Sequence, residues 1–411
     1  MHTPFGRRDL FGAFAGALWA ASCARAVGAA AHTPAPARAP AGGPPATLRD
    51  VCRARGIRHG AARDHVAMPE DAALDGLMAR ECDLVVPENG GKWSLLQPRE
   101  GQWDWRRFDR SVEDARRLGA APVWHCILWQ DMGMPEYMKL PLDRLGDLGI
   151  GEAVYFSPEG TLAEKNHWRR FTGYADAVRH RYGDVFWRID VANEVFFWET
   201  EASHPHRQDA HGFRKGLWWA VAGGAKGPDW LDPFFHHTRR TFPSARLVIN
   251  EFGIELAEGW QQRKRAYLLR WLTGAVRRGV PIDGLGLQSH LFAGKPYDRE
   301  GMRTFLRAVD TLGIPVHVTE LDVDERYLPA HWSRTEKDHA IAWTAQEYLR
   351  DVVSSATLVE VTWWHLRSDL NWIALSNPGQ KPHPAPFDAQ SQPLPLYHAA
   401  IRALEGSARR A

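Results

Sequence analysis

The chain has 411 residues, 44% of them hydrophobic and 24% charged, which is enough apolar material for a sizeable core. Its 51 basic and 49 acidic residues leave a formal charge of +2. That balance excludes the surplus of Lys and Arg that neutralising nucleic-acid phosphates demands. The 19 tryptophans suit either a large aromatic core or flat platforms for sugar rings, and composition alone does not choose between them.

The N-terminus has the form of a targeting segment. Arg7 and Arg8 precede Asp9, Leu10 and Phe11, and a run of small apolar residues then reaches Trp19 and Ala20. The pattern resembles a twin-arginine export signal, with Ala24-Arg25-Ala26 as an A-x-A cleavage site. The run is too short to span a bilayer comfortably, and no other segment has transmembrane length. Residues 1–31 are therefore expected to be signal and cleavage region, and the protein to be periplasmic or secreted. Residues 32–50, rich in Pro, Ala and Gly, read as a flexible linker, which leaves 51–411 as the folded domain. Cys52, Cys82 and Cys126 remain after cleavage, and their spacing suits neither a disulfide framework nor a zinc site.

From residue 55 onward, short stretches rich in β-branched residues alternate with longer amphipathic ones. Strands are expected near 58–63, 83–88, 121–129, 186–193, 246–252, 283–291, 315–322 and 358–366. Helical patterns between them include 106–118, 164–182, 260–278 and 332–353. Alternating strand and helix implies a parallel sheet with crossover helices, and eight such units close into a (β/α)8 TIM barrel, a single domain despite its size. A doubly wound open sheet is the rival, but the Gly-rich phosphate turn it would carry is missing.

In such a barrel, reacting groups sit at the C-terminal ends of strands. Polar residues collect at those positions: Glu88-Asn89, His125 and Trp129, Asn193-Glu194, Asn250-Glu251, Gln288 and His290, Glu320, and Trp364. A carboxylate at the end of an apolar strand is costly to bury unless it is paired or used. Any one of these reads more readily as a solvated strand end or a structural ion pair; their convergence on one rim does not. Glycoside cleavage needs a proton for the leaving oxygen and a negative group facing the developing cation, which two carboxyl groups supply. Glu194 and Glu320, on the fourth and seventh strands, are the pair expected to face each other across the mouth. His290 is placed to orient Glu320, and Asn193 to donate to a sugar hydroxyl. No H-E-x-x-H occurs, and His236-His237 and the 204–211 cluster read as solvated, so no metal is expected.

On these residues the chain resembles the family-ten glycoside hydrolases, typified by endo-β-1,4-xylanases, from about residue 55 to the C-terminus. The resemblance rests on Pro87-Glu88-Asn89-Gly90-Gly91-Lys92-Trp93, Gly101-Gln102-Trp103-Asp104-Trp105, Trp124-His125-Cys126-Ile127-Leu128-Trp129 and Asp190-Val191-Ala192-Asn193-Glu194. It continues through Leu247-Val248-Ile249-Asn250-Glu251, Asp283 to His290, and Val318-Thr319-Glu320-Leu321-Asp322-Val323. It implies cleavage with retention through a covalent intermediate, Glu320 as nucleophile and Glu194 as acid/base. It also implies that Glu88, Asn89 and Lys92 hold the sugar one place beyond the scissile unit. His125, Trp129, Asn193, Gln288 and His290 would surround the reacting sugar, and Trp364 and Trp372 would wall the groove. The implied activity is endo-1,4-β-xylanase on a β-1,4-linked polysaccharide or oligosaccharide, by a monomer that needs no cofactor. The rivals are a relative acting on another β-glycan and a sugar-binding barrel without turnover.

Several positions depart from the family's pattern. Gln130-Asp131-Met132 follow Trp129 where His-Ser-Gln is usual, and Phe252-Gly253 stand for Tyr-Asn. His365 stands for Gly, Ser368 for an acidic residue, and Asn371 for Ser. A site that loses hydrogen-bonding partners changes which hydroxyls it tolerates. The long connections at 130–163 and 196–229 are expected to shape the groove.

Overall fold

The computed structural model describes residues 46–64, 71–129, 133–141, 143, 156–157, 163–197 and 208–406. The export-signal segment and Met132 lie outside these residues. The compact unit begins at Thr47, within the stretch read above as linker. Thr47 caps the first helix, α1 (Leu48–Arg53), in a capping box: its hydroxyl accepts the Asp50 N–H at 3.1 Å while Asp50 Oδ2 accepts the Thr47 N–H at 3.0 Å. These reciprocal bonds satisfy two donors that a helix start otherwise leaves open, so the helix takes over before the Pro/Ala/Gly composition has faded.

Eight parallel strands follow: β1 (Arg58–Arg63), β2 (Leu84–Pro87), β3 (Ala121–Trp124), β4 (Arg188–Asn193), β5 (Arg246–Glu251), β6 (Gly284–Leu287), β7 (Val316–Asp324) and β8 (Leu358–Trp363). They pair in chain order, and β8 returns to β1 with Arg58 opposite Glu360, closing a (β/α)8 barrel. The crossover helices are α2 (Ala72–Glu81), α3 (Arg106–Arg117), α4 (Ala163–Tyr182), α5 (Asp232–Thr241), α6 (Gly259–Arg277), α7 (Arg299–Thr311) and α8 (Arg334–Ser355). The last helix, α9 (Pro395–Glu405), packs on α8 and α1. No helix among the described residues is long and apolar enough to cross a membrane.

Two expected strands are broken. The stretch 121–129 leaves the sheet after Trp124 and rejoins it at Leu128–Trp129 beside β4. The stretch 283–291 breaks at Gln288 and Ser289, Ser289 adopting φ +63°, before His290–Phe292 pair with the outer half of β7. That extra pairing carries β7 on to Asp324, so Glu320 sits inside the strand and not at its end.

Most of the tryptophan explains itself as core. Trp124, Trp218 and Trp363 are among the largest fully buried side chains. A stacked series runs Trp218, Trp93, Tyr174, Trp103, Trp105, with Trp93 and Tyr174 4.1 Å apart and the Arg181 guanidinium capping Trp105 at 5.1 Å. The long connection after β4 folds back in its described part, Phe196 pairing with Phe213 and stacking on it at 4.5 Å. Cys52, Cys82 and Cys126 are buried free thiols.

The barrel interior is not purely apolar. Arg188, wholly buried at the start of β4, forms ion pairs with Asp190 and, at 3.0 Å, with Glu360 of β8. His317 Nδ1 lies 2.7 Å from Glu360, and Thr362 donates to it at 2.6 Å. Removing one member of a buried charge network leaves its partners unpaired in a low dielectric. Arg188→Met should therefore destabilise the fold by roughly 3–5 kcal/mol, read as a lower midpoint in guanidinium unfolding. A loss under about 1 kcal/mol would show that the network is solvated or dispensable.

Candidate active site

β4 ends at Asn193, and the chain turns at once: Glu194 has φ +54°, in the left-handed region. An L-residue stays there only where its surroundings over-determine it. Glu251, at the end of β5, supplies that constraint. Its Oε1 accepts the N–H groups of Val195 at 2.8 Å and Phe196 at 3.0 Å, and Oε2 pairs with buried Lys264 of α6 at 2.7 Å. The Glu194 carboxylate, so turned, accepts Trp129 Nε1–H at 2.9 Å and Gln288 Nε2–H at 3.0 Å.

The second carboxylate is joined to the first through side-chain amides. Asn250 Nδ2 donates to Glu320 Oε1 at 2.7 Å and to Asn193 Oδ1 at 2.9 Å, and Gln288 Nε2 reaches Asn193 Oδ1 at 3.2 Å. Thr319 fixes the Asn250 amide by donating to its Oδ1 at 2.7 Å. Gly286 on β6 makes room for that amide, because any Cβ there would collide with it.

His290 Nε2 lies 3.4 Å from Glu320 Oε2, and His125 Nδ1 lies 4.0 Å from Oε1. Burial would raise the Glu320 pKa, but the hydrogen bond from His290 and the charges of His125 and His290 outweigh it and hold the group below the ordinary glutamate range. His290 is itself held by Asp322, whose Oδ1 meets Nδ1 at 2.8 Å. Burial would lower its pKa, yet Asp322 and Glu320 push it well above the usual histidine value. Glu320 is thus a carboxylate beside an imidazolium. His125 Nδ1 pairs with Asp190 at 2.9 Å, which ties the mouth to the Arg188 network below.

The other expected residues surround this pair. Glu88 meets His365 Nε2 at 2.7 Å; burial raises its pKa, and the His365 bond and nearby Lys92 more than reverse this. Lys92 donates to Asn89 Oδ1 at 2.8 Å and lies 4.6 Å from the Trp129 ring. Trp364 stands edge-on to His125 at 5.4 Å, and Trp372 edge-on to His290 at 5.7 Å. Trp372 Nε1 donates to Asp322 Oδ2 at 2.8 Å, so one aspartate holds both the histidine and the wall.

Sequence reasoning sets Asn250 and Glu251 on the rim without a role and gives none to Asp190 and Asp322. Their signal was available: Asp322 lies two residues beyond Glu320 and Asp190 two beyond Arg188, the spacing that puts side chains on one face of a strand. The departures are also accounted for where they are described. The Trp260 ring occupies the space a side chain at Gly253 (φ +64°) would need, and the Lys264 ammonium lies 4.4 Å from the Phe252 ring. Ser368 exchanges hydrogen bonds of 3.3 Å with the backbone of Ala385. Asn371 donates to the Trp364 carbonyl at 2.5 Å and to Asp322 at 3.1 Å, bracing both tryptophans.

The model for glycosyl hydrolase family 10 matches residues 47–403. The chain belongs to that family. It is accordingly a glycoside hydrolase, acting on O-glycosyl bonds. It is 28% identical to endo-1,4-beta-xylanase A of Halalkalibacterium halodurans over 75% of this chain and 74% of that one. With endo-1,4-beta-xylanase 1 of Humicola insolens the identity is 26%, over 80% and 67%. The fold is shared with xylanase 10B of Thermotoga petrophila, solved in complex with xylobiose, at a TM-score of 0.71 and 18% identity, covering 89% and 99% of the two chains.

The depressed pKa of Glu320 has a sign that kinetics can read. A carboxylate whose pKa is lowered stays ionised as pH falls, so the acid limb of kcat/KM on an aryl glycoside should lie below the ordinary glutamate value of about 4.3. His290→Asn removes the imidazolium and should move that limb to higher pH. An unmoved limb in the variant would contradict control of Glu320 by His290.

Proposed function

We propose that this chain is a retaining endo-1,4-β-xylanase in which Glu320 is the nucleophile and Glu194 the acid/base. The observation that carries the assignment is the unequal treatment of the two carboxylates. Glu320 is flanked by His290 and His125, which favour its charged form. Glu194 accepts from two neutral donors, Trp129 and Gln288. Two carboxyl groups in such unlike surroundings are suited to opposite roles.

In the first step a Glu320 oxygen bonds to the anomeric carbon as the bond to the leaving oxygen breaks, and Glu194 passes its proton to that oxygen. In the second, Glu194 takes a proton from water, the water oxygen bonds to the same carbon, and Glu320 leaves as a carboxylate. Two inversions give net retention. Asn193 offers its oxygen inward to Asn250 and Gln288, which leaves its NH2 to donate to a hydroxyl of the reacting sugar. Glu88, Asn89 and Lys92 hold the next sugar, and Trp364 and Trp372 wall the groove. Xylan as substrate is supported by the family match and by the relatives' activities. The filled space at Gly253 and the substitutions at Phe252, Ser368 and Asn371 favour a second reading, a related β-glycan.

We further propose that the chain is exported through the twin-arginine segment to the periplasm or medium, the linker ending near Ala46, and acts there as a monomer. Arg7 and Arg8 both changed to Lys should leave the protein in the cytoplasm; unaltered export would exclude that route.

Product sizing and anomer-resolved NMR test the activity. Xylan should yield short oligosaccharides whose first-formed reducing ends are β. An untouched xylan with another β-glycan cut would transfer the assignment to that glycan, and first-formed α ends would exclude retention. Glu194→Gln should lower kcat by about 10²–10⁴-fold, and Glu320→Gln by on the order of 10⁴-fold, with unfolding midpoints near wild type. Wild-type-like turnover in either variant contradicts its role.

A further inference from the structure

His365 combines three features that a structural histidine would not need together. It follows β8 by two residues and has φ +83°, a conformation that glycine enters freely and an L-residue does not. Its side chain is 1% exposed. Its Nε2 reaches across the end of β1 to a single carboxylate oxygen, Glu88 Oε2, at 2.7 Å. The backbone is pinned on both sides of the outlier: Trp364 N–H donates to the Leu321 carbonyl at 3.0 Å, and the Leu366 carbonyl accepts the Phe387 N–H at 3.0 Å. A strained conformation that persists under such constraint marks a position where the side chain is needed.

Glu88 is 9% exposed and follows β2 at the mouth. The cation nearest to it in sequence, Lys92, donates to Asn89 and lies over Trp129, so its contact is with those groups. A donor on one carboxylate oxygen restricts the rotation of the group and biases where the other oxygen points.

We propose that His365 is a positioning residue for substrate recognition: by holding Glu88 Oε2 it aims Oε1 at a hydroxyl of the sugar one place beyond the scissile unit. This rests on the reading of Glu88 as a sugar-holding residue given above and adds to it a residue and a direction. The position of the sugar sets the consequence. A substrate with one sugar on the non-reducing side of the scissile bond does not reach Glu88, whereas a substrate with two does. His365 therefore governs the preference between them.

The test compares aryl β-xyloside with aryl β-xylobioside, and aryl β-glucoside with aryl β-cellobioside, on the mature enzyme and its variants. His365→Gly relieves the backbone conformation and removes the donor. It should lower the bioside-to-monoside ratio of kcat/KM by about tenfold, carried by KM on the bioside. His365→Gln keeps an N–H at similar reach and should hold the ratio to within about threefold of wild type. An unchanged ratio in His365→Gly, an equal loss on both substrates, or a Gln variant as impaired as the Gly variant would each overturn the proposal and leave the hydrolase reading intact. A wild-type enzyme that cleaves none of the four substrates would overturn both.

Discussion

A carboxylate at the floor of a barrel mouth keeps its charge only if donors replace the water it has lost. Glu320 meets that condition through the donors His290 and Asn250, with His125 4.0 Å away, and each of these is held in turn by a carboxylate or hydroxyl of its own. Asp322 holds His290, Asp190 holds His125, and Thr319 holds Asn250. Asp190 then leads to Arg188 and Glu360 inside the barrel. The charged network below and the carboxylate at the mouth above are thus one structure, and the orientation of Glu320 depends on both.

The amides give the pair a fixed relation. Asn250 and Gln288 both donate to Asn193 Oδ1, and each also donates to one of the two glutamates. Both carboxylates are therefore registered to one acceptor, Asn193 Oδ1. The left-handed residues at Glu194, Ser289 and His365 lie at the ends of β4, β6 and β8. Each interrupts the regular strand where a side chain of the mouth is placed: Glu194 itself, His290 after Ser289, and His365 itself. Strain of this kind belongs where geometry matters more than local stability.

The sequence made the architecture legible because strand and helix periodicities differ and repeat. The fifth strand, expected near 246–252, runs Arg246–Glu251, and the helix expected near 106–118 runs Arg106–Arg117. The breaks at 125–127 and 288–289 were not legible, since they come from a neighbouring strand taking up the pairing and not from any local residue type. Glu320 shows the same limit: its strand runs on because His290–Phe292 pair with it. The α1 start was present as a Thr-x-x-Asp box but hidden by the composition before it. At the site, Glu88, Glu194 and Glu251 could be found from strand ends, whereas Asp190, Asp322 and Lys264 could not. Which way an amide points could not, because Asn250 is oriented by Thr319 and by the missing Cβ of Gly286. Substitutions such as His365 read from sequence as a lost glycine; only the structure places the imidazole on Glu88.

The central claim is that Glu320, held ionised by its histidines, forms a covalent bond to the sugar. Its most direct measurement is trapping with an activated 2-deoxy-2-fluoro glycoside of a sugar that the enzyme turns over, followed by peptide mass spectrometry. The account predicts one adduct, on Glu320, whose formation is abolished in Glu320→Gln. An adduct on a different carboxylate, or none while an unmodified glycoside is still cleaved, would contradict it.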